Sequence, residues 1–177
     1  AYPDVDQEGA LVLTPQYMLD HFWLASDSPR TYDWQVLAHG WQQGLDDKRW
    51  VPLAQYSGPR DANRPQIEQI HVMDASDQPW TATILQDTQE GSRGVGVRVT
   101  MLGEAGTLVL GAKPPGMGKE AGTSLLVTRQ KPATLFAALH EPFEGGPGGH
   151  AVESYDAIAR QDGVLAARIK GKAGSPI

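Results

Sequence analysis

Cysteine is absent from this chain of 177 residues. Its absence excludes disulfide bonds, thiolate nucleophiles and cysteine-based zinc sites, but it leaves the compartment open, because many exported bacterial proteins also lack cysteine. Clusters of positive charge are missing too, since the net charge is −6 and the basic residues are scattered. No apolar run approaches the roughly 18 residues of a membrane-spanning helix. We therefore expect no binding to nucleic acid and no membrane segment.

Glycine and proline, by contrast, are abundant, at 20 and 13 residues. Hydrophobic residues make up 40% of the chain and charged residues 20%, a balance that is typical of a globular protein. Glycine and proline interrupt the chain between short apolar runs. The runs recur about every 8–12 residues, which is the spacing of strands in β-sandwiches. The sequence predicts an all-β, antiparallel β-sandwich of roughly ten to twelve short strands, with little or no helix, as a single domain over residues 1–177.

The strongest local signal lies in YMLDHFWLASDSPRTYDWQVLAHG, residues 17–40. Two runs rich in aromatic and aliphatic residues flank Asp27, Ser28 and Pro29, which supply the side-chain bonds and the fixed φ that turns use. The stretch therefore predicts a β-hairpin. Both faces of its first arm are largely apolar, which predicts a central strand.

Later breaks predict further connections. Residues 103–106 predict a four-residue hairpin loop, and Lys131-Pro132 predicts a turn between two strands. Pro52 predicts an edge strand or a bulge. Residues 152–169 predict a closing hairpin, although the spacing of the first apolar residues also fits a helix over 152–159. The other predicted strands cover residues 10–14, 67–73, 80–85, 95–101 and 107–110.

Motifs that define common enzymes are absent: the sequence has no G-x-S-x-G, no Walker loop and no H-E-x-x-H. The five histidines never fall two or four residues apart. Spacing therefore predicts no catalytic residue, no metal site and no cofactor. Asp20 lies on an apolar face, where a carboxylate is expected to pair with arginine, histidine or backbone amides in a structural role.

Three residues are candidates for carbohydrate binding. Trp41 and Trp50 offer flat apolar faces on which sugar rings stack, and His39 ends an aromatic strand, at a position where binding residues gather. The alternative for the tryptophans is burial in the core. The alternative for His39 is a hydrogen bond to neighbouring backbone or to a carboxylate such as Asp33.

Three stretches carry a resemblance to a known family. They are TPQYMLDHFWLASDSPRTYDWQVLAHG, GVRVTMLGEAGTLVLGAKPP and LLVTRQKPATLFAALHEPFEG, the last with an Arg, a Thr-x-Phe run and a Glu-Pro pair. Together they resemble the C-terminal β-domain of heparinase II/III-like polysaccharide lyases, including the alginate lyases related to them. The resemblance covers most of residues 9–145. It implies the C-terminal part of a larger bacterial enzyme, in which an α/α toroid faces a β-sandwich and uronate glycans are cleaved by β-elimination.

The same resemblance implies that this chain has no catalytic role of its own. In that family a Tyr and a His or Asn transfer the protons, and these residues and a metal-binding His and Asp motif lie upstream of the part that this chain matches. No catalytic residue is therefore assigned here, and the chain alone is expected to be an inactive scaffold or wall of the substrate path. The implied partners are the toroid domain and, through the parent enzyme, a uronate-containing polysaccharide, in the periplasm or outside the cell.

Two alternatives stay open from the sequence. The first is a free-standing, secreted carbohydrate-binding module, which Trp41, Trp50 and the start at Ala1 favour. The second is a small sandwich hydrolase that assembles a histidine and carboxylates from distant strands.

Overall fold

A computed structural model describes residues 4–38, 41–43, 50–55, 68–74, 77–85, 94–113, 123–146, 148–161 and 163–173. This part of the chain contains eleven strands and one short 3-10 helix, Leu53–Gln55, and no α-helix. The predicted all-β, antiparallel class is confirmed. None of the described residues form a helix long and apolar enough to cross a membrane. The strands are β1 (Asp6–Leu13), β2 (Met18–Ala38), β3 (Trp41–Gln43), β4 (Trp50–Pro52), β5 (Glu68–Asp74), β6 (Trp80–Leu85), β7 (Gly96–Met101), β8 (Thr107–Lys113), β9 (Thr123–Phe143), β10 (Val152–Gln161) and β11 (Val164–Gly171).

Two strands of 21 residues, β2 and β9, pair antiparallel and form the spine of a nine-stranded sheet. On its other side β9 pairs with β8 through its first half and with β7 through its second half. The sheet thus has two layers that share the spine. Layer A contains β3, β6, β7, the second half of β9, the first half of β2 and β1; layer B contains β4, β5, β8, the first half of β9 and the second half of β2.

The sheet bends where β2 and β9 lose their regular pairing. On β2 the pairing stops at Ala25 and resumes at Arg30, so residues 26–29 lie opposite Pro132 alone. Pro29 and Pro132 have no backbone N–H to donate. Neither proline could donate a hydrogen bond to the ladder, so an interruption at these residues sacrifices no bond from their backbone nitrogens.

Two predicted turns are wrong for this reason. Asp27, Ser28 and Pro29 lie in a bulge inside β2, so Met18–Ala38 form one strand and not the two arms of a hairpin. Lys131-Pro132 likewise lies inside β9, not between two strands. The predicted central position of the first arm is confirmed, because the first half of β2 lies between β1 and β9.

The main core lies between the two layers. Each layer contributes residues that are at most 2% exposed, so the layers face each other across one apolar cluster. Burial of such side chains contributes about 1.5–3 kcal/mol each, relative to leaving them in water. Its most buried members include Trp80, Ile84 and Met101 from layer A, and Met73, Val109 and Val127 from layer B.

A separate hairpin, β10 with β11, packs on the outer face of layer A. Val152 and Tyr155 of the hairpin form an apolar cluster with Leu135, Ala137 and Leu139 of β9. Gly163, with φ of 80°, lies in the tight turn between the two strands, where a side chain would be strained. The predicted closing hairpin is confirmed, and the alternative helix over 152–159 is wrong.

The connection between β7 and β8 crosses from layer A to layer B. The two strands do not pair with each other, because each pairs with a different half of β9. The predicted hairpin at residues 103–106 is therefore wrong. Other predictions are confirmed: the strand at 80–85 is β6, and Pro52 lies in β4, at one end of the sheet.

Strand β1 extends beyond the facing layer. It is the outermost strand of layer A, whereas layer B ends at the second half of β2, so none of the strands that the structure describes lies opposite β1. All eight of its residues are exposed, and Leu11 and Leu13 are 59% and 70% exposed. Contiguous exposed apolar residues on an edge strand mark a contact surface.

Candidate functional site

A cleft of about 590 Å³ opens between β1 and the bend of β2. It exists because β1 overhangs layer B and leaves the inward side of layer A uncovered here. Its volume lies in the range of about 300–1,000 Å³ that small-molecule sites occupy. The lining residues come from β1, from the residue before it and from both halves of β2: Val5, Gln7, Phe22, Leu24, Arg30, Thr31, Tyr32 and Asp33.

The aromatic side chains of the cleft are held by their neighbours. Gly9 of β1 leaves room for the ring of Phe22, since a Cβ at that glycine would lie 3.0 Å from the ring. The hydroxyl of Tyr32 lies 2.5 Å from the Ser26 hydroxyl, and it donates to the carbonyl of Pro132 at 3.4 Å. The bend of the sheet therefore fixes one wall of the cleft.

The rim of the cleft carries charge of both signs. The side chain of Arg30 is 44% exposed, and its Nη2 lies 3.9 Å from Oδ2 of Asp4, whose side chain is 77% exposed. An exposed pair at this distance contributes little to stability. On the second half of β2, the Asp33 carboxylate accepts a hydrogen bond from the hydroxyl of Thr128 on β9. The rim thus places an exposed guanidinium, that of Arg30, beside the carboxylate of Asp4.

Asp20 is hydrogen-bonded within the core. The indole Nε1 of Trp34 donates to its Oδ2 at 2.8 Å. This partner differs from the predicted arginine, histidine or backbone amide. It becomes available because the bend of β2 carries Trp34 into layer B, opposite the first half of the same strand. The hydrogen bond thus joins the two layers.

His140 lies beside this pair, with its ring centroid 5.7 Å from that of Trp34. Burial lowers its pKa below the ordinary value of 6.5, and burial also lowers the pKa of His21; for both groups the Asp20 carboxylate opposes the shift. Both histidines therefore take up a proton more readily in the unfolded chain than in the folded one. Within the described residues, neither His21 nor His140 has a hydrogen-bond partner at Nε2.

The free energy of unfolding is expected to be highest above the ordinary histidine pKa of 6.5 and to decrease as the pH falls through it. Denaturant unfolding at about pH 7.5 and about pH 5.5 measures the difference. His140→Phe keeps a ring beside Trp34, so it is expected to reduce this dependence on pH. An unchanged dependence in the variant would contradict the role of His140.

Glu104, in the connection between the layers, is the centre of a charged cluster. Its Oε2 lies 3.2 Å from Nη1 of Arg129 and 3.1 Å from Nη1 of Arg160. Its Oε1 lies 3.0 Å from Nζ of Lys131 and accepts a hydrogen bond from the Thr134 hydroxyl at 2.9 Å. The cluster joins the β7–β8 connection to both halves of β9 and to the β10–β11 hairpin.

Arg129 is the buried member of this cluster, with a side chain that is 0% exposed. Burial lowers its pKa to about 10, although Glu104 opposes the shift. Its guanidinium carbon lies 4.6 Å from the centroid of the Phe136 ring, in the geometry of a cation–π contact. Arg129 and Phe136 belong to the Arg and Thr-x-Phe pattern that the sequence singles out, and the structure explains the pattern as a packing contact.

A second buried carboxylate attaches the hairpin. Glu141, 1% exposed, accepts hydrogen bonds from the backbone N–H groups of Ala151 and Val152, the latter at 2.6 Å. Its Oε2 lies 3.3 Å from Nη2 of Arg98, which donates to the carbonyl of Val152 at 2.7 Å. The start of β10 is thereby bound to layer A through both the backbone N–H and the backbone C=O of Val152.

The residues predicted to bind carbohydrate are only partly located. Trp41 lies in β3 and Trp50 in β4, at opposite ends of the main path of the sheet, and their side chains lie outside what the structure describes. His39 lies outside the described residues. Their role in binding therefore stays a prediction. Among the residues that the structure does describe, no group of three or more His, Asp or Glu is placed to hold a metal ion.

The sequence did not single out the cleft or its rim, because Arg30 and Asp33 become neighbours of β1 only through the bend. Nor did it single out Glu104, which stands alone in a glycine-rich connection. What the fold defines is an antiparallel β-sandwich domain with an open cleft at one edge. Comparison of the sequence with models of known protein families and with curated proteins finds no match.

Proposed function

We propose that this chain is a β-sandwich domain of a heparinase II/III-like polysaccharide lyase and acts as scaffold or substrate-path wall, without catalytic residues of its own. One observation carries the proposal: the three stretches that resemble the family form the central strands of the sheet. They include β2, β7, β8 and β9, the centre of the sheet. Within β9, Arg129 lies over the ring of Phe136 and pairs with Glu104, and Glu141 pairs with Arg98 of β7.

The exposed face of β1 supports a role within a larger enzyme. Leu11, Val12 and Leu13 are 49–70% exposed, and an apolar edge strand of this kind needs a cover to be protected from aggregation. The partner that we propose for this surface is the toroid domain of the same protein. A uronate-containing polysaccharide would then be bound by the parent enzyme, in the periplasm or outside the cell.

The proposal predicts that the chain alone releases no unsaturated uronate from uronate polymers, because in the family that it resembles the proton-transferring residues lie largely in the toroid and in the first strands of the β-region, ahead of the part that this chain matches. The experiment compares this chain with the product of the complete reading frame around it, and follows the absorbance of the new double bond. Activity is expected only in the complete product. Release of unsaturated uronate by this chain alone would overturn the proposal, and so would a complete frame that encodes no toroid.

A pair of variants tests the surface on β1 in the complete product. Leu13→Asp is expected to reduce activity by at least about tenfold, because a buried unpaired carboxylate at a domain interface costs several kcal/mol. Val164→Asp is the matched control, since Val164 on β11 is 70% exposed, as Leu13 is. Equal activity of the two variants would exclude β1 as the contact.

A further inference from the structure

We propose that the Glu104 cluster binds an oxyanion, the carboxylate or sulfate group of an acidic ligand, between Lys131 and Arg160. The inference goes beyond the scaffold role and does not depend on it. Three observations carry it: the cluster holds more positive than negative charge, its carboxylate is committed to a buried cation, and its two partly exposed cations keep unused N–H donors.

The cluster contains three cations and one carboxylate. Glu104 forms ion pairs with Arg129, Lys131 and Arg160 at 3.2, 3.0 and 3.1 Å. Within the part of the chain that the structure describes, none of these cations forms an ion pair with another carboxylate. One negative charge therefore faces three positive ones, in a chain whose net charge is −6. A local excess of positive charge attracts an anion.

The Glu104 carboxylate is committed to Arg129. The side chain of Arg129 is 0% exposed, and a buried guanidinium needs a carboxylate partner. Burial lowers the pKa of Arg129 to about 10, Glu104 opposes that shift, and the positive charge of Arg160 adds to it. The two guanidinium groups therefore repel each other. A second anion beside Arg160 would reduce this repulsion while Glu104 stays bound to Arg129.

Lys131 and Arg160 are accessible to a ligand, since their side chains are 28% and 26% exposed. The ammonium of Lys131 has three N–H donors, and its partner among the described residues is Glu104. The guanidinium of Arg160 uses Nη1 for Glu104 and for the carbonyl of Gly103. Within the described residues its Nε and Nη2 have no hydrogen-bond partner, and neither atom is buried. One edge of this planar group is therefore open to a ligand.

The arrangement of the donors suits an oxyanion. Lys131 contacts Oε1 of Glu104 and Arg160 contacts Oε2, so the two cations flank one carboxyl group. A carboxylate or sulfate group accepts two parallel hydrogen bonds from the edge of a guanidinium, and a neighbouring ammonium adds a further charged donor. An uncharged hydroxyl group would neutralise neither cation. The site therefore discriminates against neutral ligands.

The experiment is an NMR titration of the labelled chain with acetate, sulfate, a short uronate oligomer and a glucose oligomer of equal length, at an ionic strength held constant with chloride. Saturable shifts are expected at residues 103–104, 131 and 160 with at least one oxyanion probe, and none with the glucose oligomer. Tighter binding of the uronate oligomer than of acetate would identify a saccharide as the source of the oxyanion. Equal affinities would identify a small free anion.

Two variants test the two cations separately. Lys131→Gln and Arg160→Gln each remove one cation and leave the buried ion pair of the cluster in place. Each is expected to weaken binding at least about fivefold, because a charge-assisted hydrogen bond is lost. Lys170→Gln is the matched control, since Lys170 forms an exposed pair with a carboxylate of its own, that of Glu153, and it should leave binding unchanged.

Three results would overturn the inference. They are the absence of saturable shifts with every oxyanion probe, shifts confined to residues outside the cluster, and equal weakening by all three variants, which would indicate a response to net charge alone. The lyase proposal is tested by product release from the complete enzyme, so failure of either proposal leaves the other testable.

Discussion

Replacement of Glu104 by alanine is expected to lower the free energy of unfolding by about 3–5 kcal/mol, because it leaves a buried charge without its partner. Arg129 has a side chain that is 0% exposed and lies 3.2 Å from the Glu104 carboxylate. Its other oxygen partners, the hydroxyls of Thr107 and Thr134 and the carbonyl of Leu135, accept hydrogen bonds without neutralising the guanidinium. Denaturant-induced unfolding of the original chain and the variant measures the loss.

The control for this experiment is an exposed ion pair. Glu153 lies 2.8 Å from Lys170, and both side chains are at least half exposed. Glu153→Ala is therefore expected to cost no more than about 1 kcal/mol. If Glu104→Ala costs no more than Glu153→Ala, the cluster does not stabilise the fold as the burial of Arg129 requires.

The contribution of Glu104 also depends on pH. Burial on its own would raise the pKa of Glu104, but Arg129 and Lys131 outweigh that effect, so the pKa is lowered below 4.5. A carboxyl group with a lowered folded-state pKa stabilises the fold above its unfolded pKa, and the stabilisation is lost as the pH falls through the folded value. The difference between the original chain and Glu104→Gln should therefore shrink below pH 4.5.

Replacement of Glu141 by alanine is expected to have an effect of similar size, about 3–5 kcal/mol, but concentrated in the β10–β11 hairpin. The change leaves Arg98 without its carboxylate and leaves two backbone N–H groups, those of Ala151 and Val152, without their acceptor. The hairpin then keeps its apolar contacts with layer A, the bond from Arg98 to the Val152 carbonyl and the pair between Arg160 and Glu104. Local opening of the hairpin should become easier than opening of the sheet.

Amide hydrogen exchange separates these two effects. In Glu141→Ala, the amides of β10 and β11 should lose protection, while those of β7 and β9 retain most of theirs. Glu141→Gln keeps one oxygen acceptor and loses the charge, so it is expected to lie between the original chain and the alanine variant. Hairpin protection that is unchanged in Glu141→Ala would show that Glu141 does not hold β10 in place.

Where strands form was predictable from local sequence, because the apolar runs have the period and composition of strands. β6 has the predicted bounds. The strand predicted at 67–73 is displaced by one residue from β5, and the strand predicted at 95–101 begins one residue before β7. The faces of β2 also follow the sequence: Phe22 and Leu24 belong to the main core or pack against it, whereas Leu19 and Trp23 pack against the apolar cluster that β9 shares with the hairpin.

The local sequence could not predict that β2 and β9 each continue through the bend. Pro29 and Pro132 are both strong break signals, and a break reads locally as a reversal. In the structure the break at Pro29 in β2 lies opposite the break at Pro132 in β9. Both strands therefore bend at the same place and continue. Whether a break reverses the chain depends on the partner strand, which lies far away in sequence. The cleft was missed for the same reason, since Arg30 reaches it only through the bend.

The two long strands also determine the order in which the protein can fold. β2 ends at Ala38 and β9 begins at Thr123, yet their pairing supplies the common strands of both layers. Neither layer can complete its backbone pairing until a loop of this length has closed, and such distant pairing makes folding slow. During synthesis from the N-terminus, β2 emerges long before β9 and must wait with its long edge unpaired. The joint that organises the native sheet therefore leaves a long strand edge open to pairing with other molecules while the chain is being made.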